Sequence, residues 1–330
     1  MKVVLTGGAG FLGRAVIDAL SHDHKVYSLS RRGLSPRGAT GIVGDILDVD
    51  TLARGFEGAR VVVHLAGQVS HSQALAARLM KVHVEGTENV MAAARLAGVH
   101  RVIHMSTSGT VAVSSREDFV GTEDSRRPLQ LISRWSYYRS KLFAEEAALA
   151  ANGADLEVIS LNPSLLLGPG DDLDGESTRS VRIFLDDGMP LPPPGTVSFV
   201  DVRDVARAVR TVLRGGKPGR RYLLHGANLS FFELFSRIAR IAGKPAPMRP
   251  LPGAFRGLLS AVPELGKEDG FGFRSKISRE EMELACHHWS VDSSRARTEL
   301  RWHPRDPNET LEDTVYDLQP SLSPAARLLA

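Results

Sequence analysis

A tyrosine and a lysine spaced four residues apart could perform acid–base chemistry in this 330-residue chain. They are Tyr137 and Lys141, in a stretch whose composition is typical of a helix. Side chains with this spacing lie on one face of a helix, about one turn from each other. An ammonium group near a phenol favours the phenolate and lowers its pKa from the usual value of about 10. The spacing therefore predicts a group that gives or takes a proton at a carbonyl or alcohol oxygen.

A glycine-rich loop near the beginning of the chain could bind a nucleotide. Its glycines follow a G-x-x-G-x-x-G spacing, directly after a predicted strand and before a predicted helix. Glycine permits the tight turn and the close approach of a pyrophosphate, and a helix N-terminus attracts the anion. A glycine-rich turn without a ligand is the alternative, but this context favours nucleotide binding. The candidate contacts are Gly7, Gly10, Phe11, Leu12 and Gly13.

Strands and helices must alternate to bring these distant groups together, and the sequence predicts that they do. Predicted strands lie at residues 2–6, 25–29, 41–43, 61–65, 101–106 and 156–162. Predicted helices lie at residues 11–21, 51–56, 75–97 and 136–151. Most of the strands are apolar on both faces, as buried parallel strands are. The pattern predicts an α/β fold with a doubly wound parallel sheet and right-handed crossovers.

After Pro163 the regular strand–helix alternation gives way to Pro- and Gly-rich stretches, and this change predicts a separate lobe. We expect a dinucleotide-binding domain at residues 1–164 and 199–226, and a substrate-binding lobe at residues 165–198 and 227–330. Residues 248–273 are rich in Pro, Gly, Leu and Phe and could touch a membrane or an apolar substrate. A helix that packs on the core of its own lobe is the favoured interpretation of that segment.

Composition excludes several classes of protein. A net charge of +3 gives little support for nucleic-acid binding, and we expect none. The single cysteine, Cys286, rules out a disulfide framework, and beside His287 and His288 it makes no plausible metal site. No apolar run reaches the roughly 18 residues of a membrane span. Because the chain passes from Met1 directly into a strand, we expect no signal peptide and a cytoplasmic protein.

Several further motifs resemble the extended branch of the short-chain dehydrogenase/reductase superfamily, the NAD(P)-dependent epimerase/dehydratase family. Within it, the chain is most similar to dihydroflavonol-reductase-like and hopanoid-associated epimerase-like proteins. This resemblance implies a Rossmann-type sheet with a smaller C-terminal substrate-binding lobe. The motifs that carry it are residues 6–13, 44–46, 64–67, 137–141, 162–170, 219–230 and 289–304.

The resemblance also implies roles for individual residues. Tyr137, rather than Tyr138, is the catalytic tyrosine, and Lys141 also hydrogen-bonds the nicotinamide ribose. A hydroxyl at the end of the fifth strand holds the substrate oxygen: alignment on the strand end favours Thr107, and alignment on the following Thr-Val gives Ser108. The remaining implied contacts are Asp45 and Ile46 at the adenine, Leu65, Ala66 and Gly67 beside the ribose, and Pro163 at the nicotinamide.

Two departures from the family pattern bear on function. His83 stands where relatives usually have Asn, and we interpret it as a structural histidine rather than a catalytic one. Sugar-nucleotide dehydratases carry an Asp-Glu pair after the catalytic threonine, whereas this chain has Ser108 and Gly109 there. That difference counts against a dehydratase.

The end of the second strand predicts which nicotinamide cofactor is used. NAD sites place a carboxylate there, on the ribose 2′-hydroxyl. This chain has Ser30, followed by Arg31 and Arg32, and a guanidinium suits a 2′-phosphate. We therefore expect NADP(H), with NAD(H) as the less favoured cofactor.

The combined pattern predicts an NADP(H)-dependent oxidoreductase that reduces a ketone or aldehyde. The alternative is a nucleotide-sugar epimerase with tightly bound NAD(P). A redox-sensing protein that binds NADP without chemistry ranks third, because such proteins lack the Tyr–Lys pair. The resemblance further implies a homodimer that pairs the helices at residues 75–97 and 136–151.

Overall fold

The computed structural model describes residues 1–171, 175–252 and 277–323. In these ranges the strands form one seven-stranded sheet and one three-stranded sheet. The strands are β1 (Lys2–Thr6), β2 (Lys25–Ser30), β3 (Thr40–Val43), β4 (Val61–His64), β5 (Arg101–Met105), β6 (Glu157–Pro163), β7 (Leu165–Leu167), β8 (Thr196–Asp201), β9 (Arg221–Leu224) and β10 (Ala227–Ser230).

The described ranges also contain twelve α-helices. They are α1 (Phe11–Ser21), α2 (Val49–Phe56), α3 (Ala76–Met80), α4 (Gly86–Leu96), α5 (Leu129–Ile132), α6 (Ser136–Ala150), α7 (Glu176–Asp187), α8 (Val202–Val212), α9 (Phe231–Ala242), α10 (Arg279–Ala285), α11 (Ser294–Leu300) and α12 (Pro307–Leu318).

The seven-stranded sheet is entirely parallel, in the order β3-β2-β1-β4-β5-β6-β9. Every residue of β4 and β5 is buried. One face of the sheet packs on α1 and α8, and the other on α2, α4 and α6. Helices on both faces confirm the predicted doubly wound Rossmann-type sheet. The reversal of strand order between β1 and β4 opens a crevice at the carboxyl ends of the strands, where ligands bind in such folds.

The smaller sheet has the order β10-β8-β7 and packs on a separate apolar cluster, which includes residues of α7, α9 and α12. Strand β8 pairs antiparallel with β10 and parallel with β7. The domain boundary that we expected at residue 199 therefore falls inside β8. The following helix, α8, returns to the large sheet beside α1. Asp201 caps α8 by accepting a hydrogen bond from the backbone of Arg203 at 2.8 Å.

The helix predicted at residues 75–97 is less regular than expected. A 3-10 turn at Gln73–Leu75 leads into α3, a wider π turn follows at Lys81–Glu85, and α4 completes the segment. The π turn contains His83, whose ring is hydrogen-bonded on both sides. Such single-turn widenings occur frequently at functional sites.

No described helix is long and apolar enough to cross a membrane. The segment at residues 248–273 lies mostly outside the described residues. Its described beginning follows the loop before β8: the backbone of Met248 bonds to Pro190 at 3.0 Å, and that of Leu251 bonds to Pro192 at 2.9 Å.

Candidate active site

The glycine-rich loop passes tightly over the end of the sheet. Gly7 has a φ of +77°, which favours glycine, and a Cβ there would come within 2.7 Å of the backbone nitrogen of Ala66. A Cβ on Gly13 would meet the carbonyl oxygens of Gly7 and Gly8 at 2.4 and 2.6 Å. Each of these glycines is therefore required by the fold of the loop itself. Gly10 differs, because a Cβ there would make only an ordinary contact of 3.4 Å.

The N-terminus of α1 suits a phosphate group. Gly10 occupies the N-cap, where no side chain caps the first turn, and the described first turn has no acidic residue. The first intrahelical bond runs from the backbone of Arg14 to Gly10 at 3.0 Å. The N–H groups of Phe11, Leu12 and Gly13 precede that bond and, with the positive end of the helix dipole, form an anion site. These residues fit a dinucleotide pyrophosphate.

The residues expected at the adenosine end lie on two loops beside this helix. Arg31 and Arg32 are exposed directly after β2. After β3, the carboxylate of Asp45 accepts a hydrogen bond from the backbone of Leu47 at 3.0 Å, which fixes its loop. Ile46 packs on α4, since a Cβ on Gly86 would come within 2.9 Å of its side chain. The structure thus places all four residues at the carboxyl edge of the sheet.

The loop after β4, which contains Leu65, Ala66 and Gly67, is held by two histidines. His64 bonds to the hydroxyls of Thr6 at 2.7 Å and Thr87 at 3.0 Å. His83 Nε2 accepts a hydrogen bond from the backbone N–H of Gln68 at 3.0 Å. Burial lowers the pKa of both histidines to about 3, so that both rings are neutral near pH 7.

His83 also connects this loop to the helix that carries the tyrosine. Because Nε2 accepts a hydrogen bond, the proton of the neutral ring is on Nδ1, which donates to Ser140 Oγ at 2.8 Å. The Ser140 hydroxyl donates in turn to the carbonyl of Tyr137 at 2.8 Å. This geometry supports the predicted structural role of His83.

We expect the His83→Leu variant to lose about 2 kcal/mol or more of unfolding free energy, because it leaves the Gln68 N–H and the Ser140 hydroxyl without this partner. His83→Asn retains an acceptor and a donor and should lose less. Urea unfolding of the two variants and the wild type provides the measurement. Equal stability of the leucine variant and the wild type would contradict this role.

Tyr137 stands half-buried at the start of α6, among three aromatic rings. The ring centroids of His71, His83 and Tyr138 lie 6.0, 5.8 and 5.0 Å from its own. Burial raises the pKa of Tyr137 to about 12. We expected the Lys141 ammonium to lower the pKa of Tyr137. That expectation was wrong, because burial raises this pKa. The phenol therefore keeps its proton at neutral pH.

Lys141 lies one turn further along α6 and is buried. Its ammonium donates to the carbonyl oxygen of Met105, at the end of β5, at 2.5 Å. Burial lowers the pKa of Lys141 to about 8, and the nearby carboxylate of Glu145 opposes this shift. Lys141 is thus anchored beside the strand end that leads to the candidate hydroxyls.

Both candidate hydroxyls follow β5. Thr107 is partly exposed and accepts a long hydrogen bond from the backbone of Gly109 at 3.4 Å, which leaves its hydroxyl proton free to donate. Ser108 is buried at the start of a short 3-10 turn. Pro163, at the end of the neighbouring strand β6, is also buried and pairs in register with Leu224. Partial exposure favours Thr107 as the group that meets a substrate.

An aromatic wall extends from Tyr137 through Tyr138 to Trp289. Tyr138 packs against Trp289 with ring centroids 4.8 Å apart, and Trp135 lies 5.6 Å from Trp289. A Cβ on Gly109 would come within 2.3 Å of the Tyr138 ring. Tyr138 therefore forms part of the wall, which agrees with the assignment of the acid–base role to Tyr137.

Sequence reasoning missed the buried polar layer beneath this site. It includes Glu145, His64 and His104, all essentially inaccessible to solvent. Glu145 follows Lys141 by four residues, a spacing that places it on the same helix face and could have revealed it. His64 and His104 occupy paired positions in β4 and β5, and each is a polar residue that directly follows apolar residues of its strand. Among the described residues, no cluster of His, Cys, Asp or Glu could hold a metal ion.

Comparison with known proteins agrees with this geometry. Residues 3–224 match the model of the NAD dependent epimerase/dehydratase family. The chain belongs to this family. It is therefore a member of the extended short-chain dehydrogenase/reductase superfamily, as its motifs predicted, and its cofactor is a nicotinamide dinucleotide. The reactions of the family include both oxidoreduction and epimerisation.

The names and titles of individual relatives point to different substrates and reactions. The chain is 27% identical over 326 residues to the "Putative dihydroflavonol 4-reductase" of Synechocystis sp., covering 96% of this chain and 94% of the relative. The structure of gox2253 is 28% identical with a TM-score of 0.82, covering 96% and 98% of the two chains. The structure of MoeE5 in complex with UDP-glucose and NAD is 25% identical with a TM-score of 0.73, covering 98% and 100%.

Proposed function

We propose that this family member is an NADP(H)-dependent reductase of a ketone or aldehyde. The observation that carries the proposal is that Lys141, four residues after Tyr137 on α6, donates from its ammonium to the carbonyl of Met105, two residues before Thr107. The similarity to a relative named for a reductase supports the same direction of reaction. Burial raises the pKa of Tyr137 to about 12, so the phenol holds at neutral pH the proton that an acid must donate to a carbonyl oxygen.

The proposed chemistry divides between the cofactor and the chain. When bound, the nicotinamide supplies a hydride to the carbonyl carbon of the substrate. Tyr137 donates its hydroxyl proton to the carbonyl oxygen, and Thr107, or alternatively Ser108, donates a hydrogen bond to the same oxygen. Lys141 would hydrogen-bond the nicotinamide ribose and so hold the cofactor beside Tyr137. The loop at Gly7–Gly13 and the end of β4 hold the dinucleotide.

The second candidate function is that of a nucleotide-sugar epimerase, favoured by the match to the NAD dependent epimerase/dehydratase family and by the similarity to MoeE5, whose structure contains UDP-glucose and NAD. An epimerase oxidises and then reduces the same substrate, so it returns its cofactor unchanged. The absence of a carboxylate at Ser30 counts against this candidate, since an epimerase of this kind would hold NAD.

A screen of carbonyl compounds, including aryl ketones and enals, tests the proposed function through the absorbance of NADPH at neutral pH. We expect stoichiometric NADPH consumption and an alcohol product with at least one of these compounds. The parallel arm supplies UDP-glucose and related nucleotide sugars and follows their conversion by NMR. Epimerised sugar without a net change in cofactor absorbance would overturn the reductase proposal in favour of the second candidate.

The choice of NADP(H) rests on Arg31 and Arg32, both exposed beyond β2. We expect the double variant Arg31→Ala/Arg32→Ala to bind NADPH about 10- to 100-fold more weakly, because each charge-assisted hydrogen bond to the 2′-phosphate contributes about 1.5–3 kcal/mol at most. NADH affinity should stay within about two-fold, since NADH lacks that phosphate. Fluorescence titration measures both. An equal loss of affinity for NADPH and NADH in the double variant, or a wild type that binds NADH more tightly, would contradict the assignment of NADP(H) as the cofactor.

We also propose a homodimer, located in the cytoplasm, that binds a small-molecule substrate. The outward faces of α4 and α6 leave Leu96 and Phe143 exposed, as expected for helices that pack on a second copy. The lone Cys286 fits a reducing compartment.

A further inference from the structure

Glu145 is a fully buried carboxylate on α6, one turn beyond Lys141. Its Oε1 forms an ion pair with Arg221 Nε of β9 at 2.8 Å. Its Oε2 lies within hydrogen-bond distance of three donors on two other strand ends. The donors are Ser106 Oγ at 2.5 Å, Thr110 Oγ1 at 2.8 Å and Asn162 Nδ2 at 2.8 Å. Because the Arg221 and Asn162 groups can only donate, this arrangement suits an ionised carboxylate.

The same donors surround the backbone of Thr107. The carbonyl oxygen of Thr107 lies 3.0 Å from the Thr110 hydroxyl and 3.1 Å from the amide nitrogen of Asn162. Ser106 directly precedes Thr107 in the chain. Glu145 therefore ties the segment that carries the candidate hydroxyl to the helix that carries Tyr137 and Lys141.

The groups that face Lys141 come from four elements. His64 of β4, His83 of the π turn and His104 of β5 all have their pKa lowered by burial and are neutral near pH 7. Tyr137 is also neutral there, since burial raises its pKa to about 12. Among these described neighbours, Glu145 is the anion that favours the protonated form of Lys141, and it shares its charge between Lys141 and Arg221.

We propose that Glu145 is a positioning residue that keeps Lys141 protonated at neutral pH and holds Thr107 in place beside it. The proposal rests on the proposed function for its effect on turnover, but the state of Lys141 is measurable without a substrate. Buried carboxylates of this kind also have a purely structural use, namely to neutralise a buried arginine. The experiment must separate these two roles.

The test follows the Cε resonance of Lys141 by NMR across pH, in protein labelled with 13C-lysine, with Lys141→Arg used to identify the signal. In the wild type, the midpoint should lie at about 8. In Glu145→Gln it should fall by about one pH unit or more, because a full negative charge one turn away is lost. Glu146→Gln is the matched control: it removes the same charge from the next residue, which instead pairs with Arg127, and should leave the midpoint unchanged.

Glu145→Gln leaves Arg221 without its partner and could unfold the protein, so the double variant Glu145→Gln/Arg221→Gln removes both charges. Arg221→Gln alone is the reference, because loss of the Arg221 charge by itself raises the midpoint of Lys141. If Glu145 supports Lys141, the folded double variant titrates at a lower pH than Arg221→Gln, and the alkaline limb of kcat moves in the same direction. Equal midpoints in these two folded variants would overturn the proposal and leave only the neutralisation of Arg221. A lowered midpoint in a protein without reductase activity would support the role of Glu145 and count against the proposed function alone.

Discussion

Replacement of Tyr137 by phenylalanine should reduce kcat by about 10²- to 10⁴-fold, the range that a positioned general acid contributes. The variant removes the hydroxyl that donates to the substrate oxygen and little else, because that hydroxyl forms no hydrogen bond with another described residue. The ring contacts with His71, His83 and Tyr138 persist in the variant. NADPH affinity and the unfolding temperature should therefore stay close to those of the wild type. Steady-state kinetics and fluorescence titration measure the two effects separately.

Tyr138→Phe is the matched control for this experiment. Tyr138 carries the same hydroxyl one residue further along α6, but its ring packs between Gly109 and Trp289. The kcat of Tyr138→Phe should remain within a few-fold of the wild-type value. A large loss in Tyr138→Phe, together with an active Tyr137→Phe, would transfer the acid role to Tyr138 and disprove the assignment made here.

The second large effect is expected at the glycine-rich loop, where two glycine-to-alanine substitutions should both weaken cofactor binding, but for different reasons. A methyl group on Gly13 would lie 2.4 Å from the carbonyl oxygen of Gly7, so Gly13→Ala must distort the loop. We expect it to cost about 1–3 kcal/mol of stability, as overpacking does, and to abolish cofactor binding. Gly10→Ala meets only an ordinary 3.4 Å contact and should fold normally.

Gly10→Ala should nevertheless weaken NADPH binding by about 10-fold or more, because its methyl group stands where the pyrophosphate approaches the backbone. Thermal unfolding separates this variant from Gly13→Ala, and fluorescence titration measures the affinity of each. Wild-type affinity in Gly10→Ala would show that the dinucleotide does not cross this turn, which would contradict the proposed cofactor site.

The sequence predicted the periodic elements that bury apolar side chains. Helix α1 and strand β1 have the predicted bounds, and Asp48 caps α2. These elements carry local signals: an apolar period, a cap, or a glycine after the last turn. Where such signals are weak or compete with tertiary contacts, prediction failed, as in the π turn that His83 occupies.

Parts of the candidate site could not be derived from the chain alone. The motif spacing gave Tyr137 and Lys141, but their ionisation depends on burial that only the folded structure provides. Glu145 gathers donors from residues 106, 110, 162 and 221, which are far apart in sequence. The register of parallel strands brings them together, and no local pattern encodes that convergence. The same is true of β7 and β10, which pair with β8 in the smaller sheet.

The crystal structure of the complex with NADP+ tests the central claim most directly. The account predicts the pyrophosphate on the backbone of residues 7–13, the 2′-phosphate beside Arg31 and Arg32, and the nicotinamide ring against Tyr137. It also predicts a ribose hydroxyl within hydrogen-bond distance of the Lys141 ammonium. A dinucleotide bound elsewhere, or a nicotinamide ring separated from Tyr137 by the aromatic wall, would contradict it.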